Sequence, residues 1–287
     1  VSKVMDRIAT VARETAASLL GPNGVRLAFE MVTATQAQEW LDQFNVGNRT
    51  LKRTKAELYA RDMKAGFWRP DTCEAIKFGR DGRLLDGQNR LHALVLAGGS
   101  QMFLVARGCP PEIQGVIDTI VPRSAADLLR FKGTENAHLA VAITKKVILW
   151  EGGRRIRLDA MPVSHSEVLT RYGVDIVAAT EAAGRYRATP CAGSVVGFVW
   201  FITHAISPEE AELYFHQLAS GEGLLVGNPA LAVREWLIRM RTAKHTLTMS
   251  DALITALIRG WNALREGRDL QKIYASGKGS GDIPEPQ

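Results

Sequence analysis

Gly82-Arg83-Leu84-Leu85-Asp86-Gly87-Gln88-Asn89-Arg90-Leu91-His92-Ala93-Leu94 reads as a strand that runs through a glycine directly into a helix. Leu84-Leu85 carries the strand and Asp86-Gly87-Gln88 ends it. A helix follows from about Asn89 to Ala97, closed by Gly98-Gly99. Such a junction exposes backbone N–H groups at the helix start, and the helix dipole adds to their attraction for anions. Gly87 accepts unusual dihedrals and lets a ligand approach the backbone closely. Arg90, in the first turn, can fork two hydrogen bonds onto phosphate oxygens. Asp86 can hold a metal ion, orient a water or brace Arg90. A turn glycine and a surface arginine would give the same letters, so the surroundings must decide.

Upstream, Val1 to Leu20 has helical spacing through Val4, Ile8, Val11, Ala16 and Leu19 or Leu20, stopped by Gly21-Pro22-Asn23-Gly24. The spacing predicts an N-terminal helix, expected to dock on the rest of the chain or on a partner. Val25 to Val32 reads as a strand. Thr33 or Thr35 caps a helix through Phe44, Asn45 to Arg49 is a loop, and Thr54 caps a helix over Lys55 to Ala65. Ala75 to Phe78 is a short strand, joined to Leu84 by the hairpin turn Arg80-Asp81-Gly82-Arg83. Met102 to Arg107 is a further strand. Pro110 to Gly115 is helical, Val116 to Asp118 extended, and Ser124 caps a helix through Leu129.

After Gly133 strand signals fade and amphipathic segments take over. Helices are expected at Thr134 to Glu151, from the Ser164-His165-Ser166-Glu167 capping box to about Ala183, and at Gly193 to Ala205, Pro208 to Ala219, Pro229 to Ala243 and Ser250 to Arg265. The expected organisation is an N-terminal helix (1–24), an α/β domain (25–131), an all-helical domain (132–275) and a disordered Gly-, Ser- and Pro-rich tail (276–287).

The 287 residues are 46% hydrophobic, enough for a proper core, and the longest apolar run, Ala192 to Ile206, is interrupted by Gly193, Gly197, Thr203 and His204. With no signal-peptide order at the start, the expectation is a soluble, cytoplasmic protein without membrane contact. Cys73, Cys109 and Cys191 form no CxxC pair, and the six histidines show no metal spacing, so no metal site is expected. The net charge of +6 favours acidic partners. Arg154, Arg155 and Arg157, with Arg234, Arg239, Arg241 and Lys244, are candidates for a DNA backbone; scattered solvated arginines give the same count. Trp40, Trp68 and Trp150 read as core residues. Asp118 and Arg123 read as a functional pair or a structural one.

The first half of the chain resembles the ParB N-terminal domain and its sulfiredoxin relatives, especially the branch with an Asp-Gly-Gln-His-Arg signature. Asn48-Arg49 before a helix resembles the Asn-Pro-Arg region of ParB proteins. Met63-Lys64-Ala65-Gly66-Phe67-Trp68 resembles the branch's Met-x-x-Gly-x-Trp, and Leu84 to Leu91 fills its signature with Asn89 in place of His. Arg107-Gly108, Val116 to Thr119 and Arg123 to Asp127 also resemble the branch downstream of its signature. The helical half, ending in Trp261-Asn262-Ala263, is similar to ParB-like proteins of phages and mobile elements.

The resemblance implies a ParB/sulfiredoxin-like α/β domain followed by an all-α domain. It implies a phosphate site at Gly87, Gln88, Asn89 and Arg90, joined by Asn48 and Arg49. It also brings in Glu30 as a general base, since related small-molecule kinases use an acidic residue there. Three departures adjust this. No cysteine stands in the turn, so sulfiredoxin activity is not expected. Gln88 replaces a glutamate of partition proteins, and Asn89 replaces the branch's His; both shift weight from catalysis to binding. The expected function is therefore ParB-like binding of a nucleotide or DNA, with room for a homodimer. The alternative is a phosphoryl-handling enzyme (an NTP-dependent kinase, NTPase or nuclease) using Asp86 or Glu30 with a nucleoside triphosphate and magnesium. A scaffold without a ligand is the third possibility.

Overall fold

The computed structural model describes residues 19–20, 24–115, 124–159, 161–242, 250–274 and 282–287. The chain divides into two compact units, residues 1–122 and 123–287.

The first unit contains β1 (Leu19–Leu20), β2 (Arg26–Thr33), α1 (Ala34–Phe44), α2 (Arg53–Lys64), β3 (Ile76–Gly79), β4 (Leu84–Asp86), α3 (Gln88–Ala97) and β5 (Ser100–Cys109), with 3-10 turns at Pro70–Thr72 and Pro111–Gly115. The sheet order is β1-β2-β5-β3-β4. It is mixed: β3 runs parallel to β5, and the other neighbours are antiparallel. Alternation along the strands sends Val32, Ile76, Phe78, Leu84, Phe103 and Val105 to one face. There they pack with Ala37, Trp40 and Leu41 of α1, Ala60 and Met63 of α2, and Leu91 and Leu94 of α3. A smaller cluster of Ala75, Leu85, Ala106 and Cys109 lies on the opposite face, against Ile113.

Thr33 is the cap of α1, its hydroxyl accepting from the Gln36 N–H at 3.1 Å. Thr54 is not a cap: α2 starts two residues earlier than expected, at Arg53, with Lys52 as an N-cap that offers no side-chain acceptor. Leu19-Leu20, expected to finish an N-terminal helix, are instead hydrogen-bonded as a strand to Arg26 and Leu27. The rest of that expected helix, like Val116 to Asp118, lies outside the described residues.

The second unit is largely helical: α4 (Ala125–Phe131), α5 (Ala137–Glu151), α6 (His165–Arg171), α7 (Val174–Arg185), α8 (Gly193–His204), α9 (Pro208–Ser220), α10 (Pro229–Thr242) and α11 (Ser250–Arg265). α4, placed in the α/β domain by sequence, packs on α5 and α6 and belongs here. Ser124 and Asp127 form a complete capping box on α4, as do Ser164 and Glu167 on α6. The single helix expected to reach Ala183 is two, because Tyr172 and Gly173 are both extended and end α6 before α7 begins. α8 touches α5, α7, α9 and α11, which explains why it is apolar on nearly every side. Part of the expected disordered tail is also corrected. Ile283 is buried, and Glu285 and Gln287 hydrogen-bond to Asn262 of α11. No helix among the described residues is long and apolar enough to cross a membrane.

Candidate phosphate-binding site

The β3–β4 hairpin delivers the junction. Asp81 closes the turn by accepting from the Arg83 N–H at 3.1 Å and from its Nε at 2.6 Å. Gly87, the N-cap of α3, has φ +112°, a value side chains rarely adopt. A Cβ there would also lie 3.1–3.3 Å from Ile76, so the position excludes other residues twice over. The Gly87 carbonyl accepts from the N–H groups of Arg90 and Leu91 and starts the helix.

The three residues after Gly87 are all buried, and their side chains have internal partners. Gln88 Nε2 donates to the Arg49 carbonyl at 2.9 Å. Asn89 Oδ1 accepts from the Lys52 N–H at 3.3 Å. Asn48 fixes the other end of this loop: its Nδ2 donates to Asn45 Oδ1 at 2.7 Å and to the Leu84 carbonyl at 2.6 Å, while its Oδ1 accepts from Gln114 Nε2 at 3.0 Å. The loop 48–52 is thus fastened across the start of α3.

Arg90 turns away from where a phosphate clamp was expected. Its guanidinium donates to the carbonyls of Glu74 and Ala75, the latter at 3.0 Å, and to Asp86 Oδ2 at 3.0 Å. Lys77 Nζ reaches the same Asp86 oxygen at 3.0 Å. Burial pushes the Asp86 pKa up, but the charge of Arg90, the hydrogen bond and charge of Lys77 and the Gly87 N–H hold it below the usual value. Asp86 is therefore an ionised hub between two cations, poorly suited to take a proton. Lys77 was not singled out by sequence, yet a signal existed: it and Asp86 stand equally far from Asp81-Gly82, at paired hairpin positions.

The basic side chains gather one step away. Lys52 is the N-cap of α2, and Lys52, Arg53 and Lys55 are exposed around a first turn with no acidic residue. Cations at the positive end of a helix dipole repel it. Because the Lys52 N–H meets Asn89 in the first turn of α3, two helix N-termini converge here, with Arg49 on the loop between them.

Glu30 is not part of this arrangement. It pairs with Arg107 through both carboxylate oxygens, and Arg107 lies 5.4 Å from the Trp40 ring and 5.3 Å from Phe78. Glu30 sits on β2 and Asp86 on β4, three strands apart, about 14 Å at ~4.8 Å per strand step. The Asp118–Arg123 pair lies outside the described residues.

In the second unit the arginines divide. Arg155 stacks on Trp150 at 3.6 Å and pairs with Glu285, and Arg234 caps the end of α9 through the Leu218 and Ala219 carbonyls; both are structural. Arg157 is exposed, and its backbone N–H donates to Asp251 at the start of α11. Arg154 reaches the Ile156 carbonyl at 3.4 Å. Arg239 is 3.8 Å from Glu235, and Lys244 lies outside the described residues. Among the described residues, no group of three or more His, Cys, Asp or Glu is placed to hold a metal ion.

Together, fold and site define a mixed α/β unit with two converging helix N-termini, followed by a largely helical unit. Comparison with protein-family models, curated proteins and solved structures found no match to this chain.

Proposed function

We propose that the protein binds phosphate groups, of a nucleotide or a DNA backbone, where α2 and α3 begin, in the manner of a ParB-like protein of phage or mobile-element type. The observation that carries this is the unbalanced charge at the start of α2: Lys52, Arg53 and Lys55 crowd the positive end of a helix with no acid in its first turn. An anion relieves that repulsion, and the adjoining N-terminus of α3 offers further N–H groups to it. In this scheme Gln88 and Asn89 present backbone N–H groups beside Gly87, and Arg49, Lys52 and Arg53 neutralise charge. Arg90, Asp86 and Lys77 brace the frame. The exposed Arg157 and Arg239 of the helical unit are candidate second contacts for DNA. The enzyme alternative needs Asp86 as a base or magnesium ligand, and two cations already share its carboxylate.

The test is thermal unfolding with CTP, ATP, GTP or a short DNA duplex, with and without magnesium, at low and high salt. A ligand at a hundred times its dissociation constant should add about 2.7 kcal/mol of stability. Lys52→Ala with Arg53→Ala should abolish the shift. Unchanged unfolding with every ligand, or a shift that survives the double replacement, would overturn the proposal.

A further inference from the structure

We infer that the helical unit carries a groove for an extended peptide with an apolar residue and an acid two positions on. Residues 282–287 are its tethered occupant, and the matching segment of a partner protein displaces them. This stands independently of phosphate binding.

Residues 282–287 lie against the helical unit as a bound peptide would. Ile283 is buried in the helical core, and its N–H donates to the Arg155 carbonyl at 2.7 Å. Two residues on, Glu285 is exposed and its carboxylate meets the Arg155 guanidinium. The buried Asn262 of α11 reads the backbone beyond. Its Nδ2 donates to the Glu285 carbonyl at 2.9 Å, and its Oδ1 accepts from the Gln287 N–H at 3.0 Å. One amide thus meets a carbonyl and the N–H two residues later, as the backbone of a neighbouring strand does. The Gln287 carbonyl accepts from the Trp261 indole at 3.0 Å and from Arg265 at 2.7 Å.

Main-chain hydrogen bonds hold such a segment, and the side chains alternating along it give selectivity. Backbone groups are common to all peptides, so the pocket under Ile283 and the charge of Arg155 do the choosing. Arg155 is set in place by its stacking on Trp150 and by its bond to the Trp150 carbonyl at 2.8 Å. Its planar fork is therefore oriented toward an acid in advance. Arg265 has Glu210 as a partner of its own, which leaves Arg155 as the charge that selects the acid.

The occupant is built as a separable ligand. Ile283-Pro284-Glu285-Pro286-Gln287 has proline at every second position. Each proline fixes its own φ and holds the residue before it extended, so little chain entropy is lost on binding. The two prolines have no N–H, and none of the hydrogen bonds above calls for one there. A partner segment with the same pattern meets the same groups.

The experiment uses the full chain and a fluorescent peptide of residues 282–287, blocked at both ends and followed by anisotropy. Ile283→Asp opens the groove by removing the anchor. Glu285→Lys opens it by reversing the exposed charge and keeps the core residue, so the test survives if Ile283→Asp does not fold. A tethered competitor acts at an effective concentration on the order of millimolar, so both opened chains should bind the peptide at least tenfold more tightly than wild type. Arg155→Glu added to the Ile283→Asp chain should lose this peptide and bind the one carrying Glu285→Lys. Added to the Glu285→Lys chain, it restores an internal ion pair and should expel the peptide. No binding to either opened chain, or equal binding by wild type and the opened chains, would overturn the inference. So would a doubled mass of wild type in light scattering, because the segment of a second copy would then fill the groove.

Discussion

Arg90 enters the first turn of α3 with its guanidinium turned back to the Glu74 and Ala75 carbonyls and to Asp86. The two carbonyls are backbone atoms some fifteen residues upstream, brought close only by the tertiary fold, which is why the letters Gly87 to Arg90 mark a strand–helix junction but not the direction of the arginine. The prediction at this scale concerns Asp86. Its folded pKa lies below the ordinary aspartate value. Its stabilisation is therefore full above that ordinary value, near 3.9, and disappears as pH falls through the lowered one. Asp86→Asn leaves Arg90 and Lys77 without their counter-charge and should cost about 3 kcal/mol at pH 7. The gap from wild type should close as the solution is acidified below the lowered value, measured by urea unfolding across that range. A gap of constant size down to the lowest pH would rule out Asp86 as the charged hub.

Among the elements, α8 packs closely on two others at Gly197. A Cβ on Gly197 would lie 2.4 Å from Ile143 of α5 and 2.8 Å from the Ala179 carbonyl of α7. A side chain of α5 can move, but the backbone of α7 gives less easily, so Gly197→Ala should destabilise the helical unit by about 2 kcal/mol. Circular dichroism during thermal unfolding measures it. An unchanged midpoint would show that the three helices have slack. The helices themselves were readable because their apolar spacing is strong and because Ser124 and Ser164 announce two of them with capping boxes. What spacing did not disclose was the interruption at Tyr172-Gly173, since apolar residues continue on either side of it. Nor did it disclose the true start of α2, where a lysine rather than Thr54 holds the cap position.

At the scale of the molecule, each unit has its own core, and strand signals give way to helical ones near Gly133, past the division at 122 because α4 belongs to the helical unit. The end of the chain was misjudged because its Gly, Ser and Pro content hides one anchor, Ile283, which enters the helical core while the Trp261 indole donates to the Gln287 carbonyl. Ile283→Ala should cost about 3 kcal/mol in that unit. Hydrogen exchange should then quicken in α5 and α11 while β3 and β5 keep their rates. Equal protection in α5 and α11 before and after the substitution would show that the terminal segment adds nothing to the core.

The fastening of loop 48–52 has one further consequence. Asn48, Gln88, Asn89 and Gln114 hold it with amides, which neither gain nor lose a proton at any ordinary pH. The latch itself therefore carries no group that titrates. Whatever pH response the site shows near neutrality would then report the guest's own ionisation, such as the second proton of a terminal phosphate, rather than movement of the door.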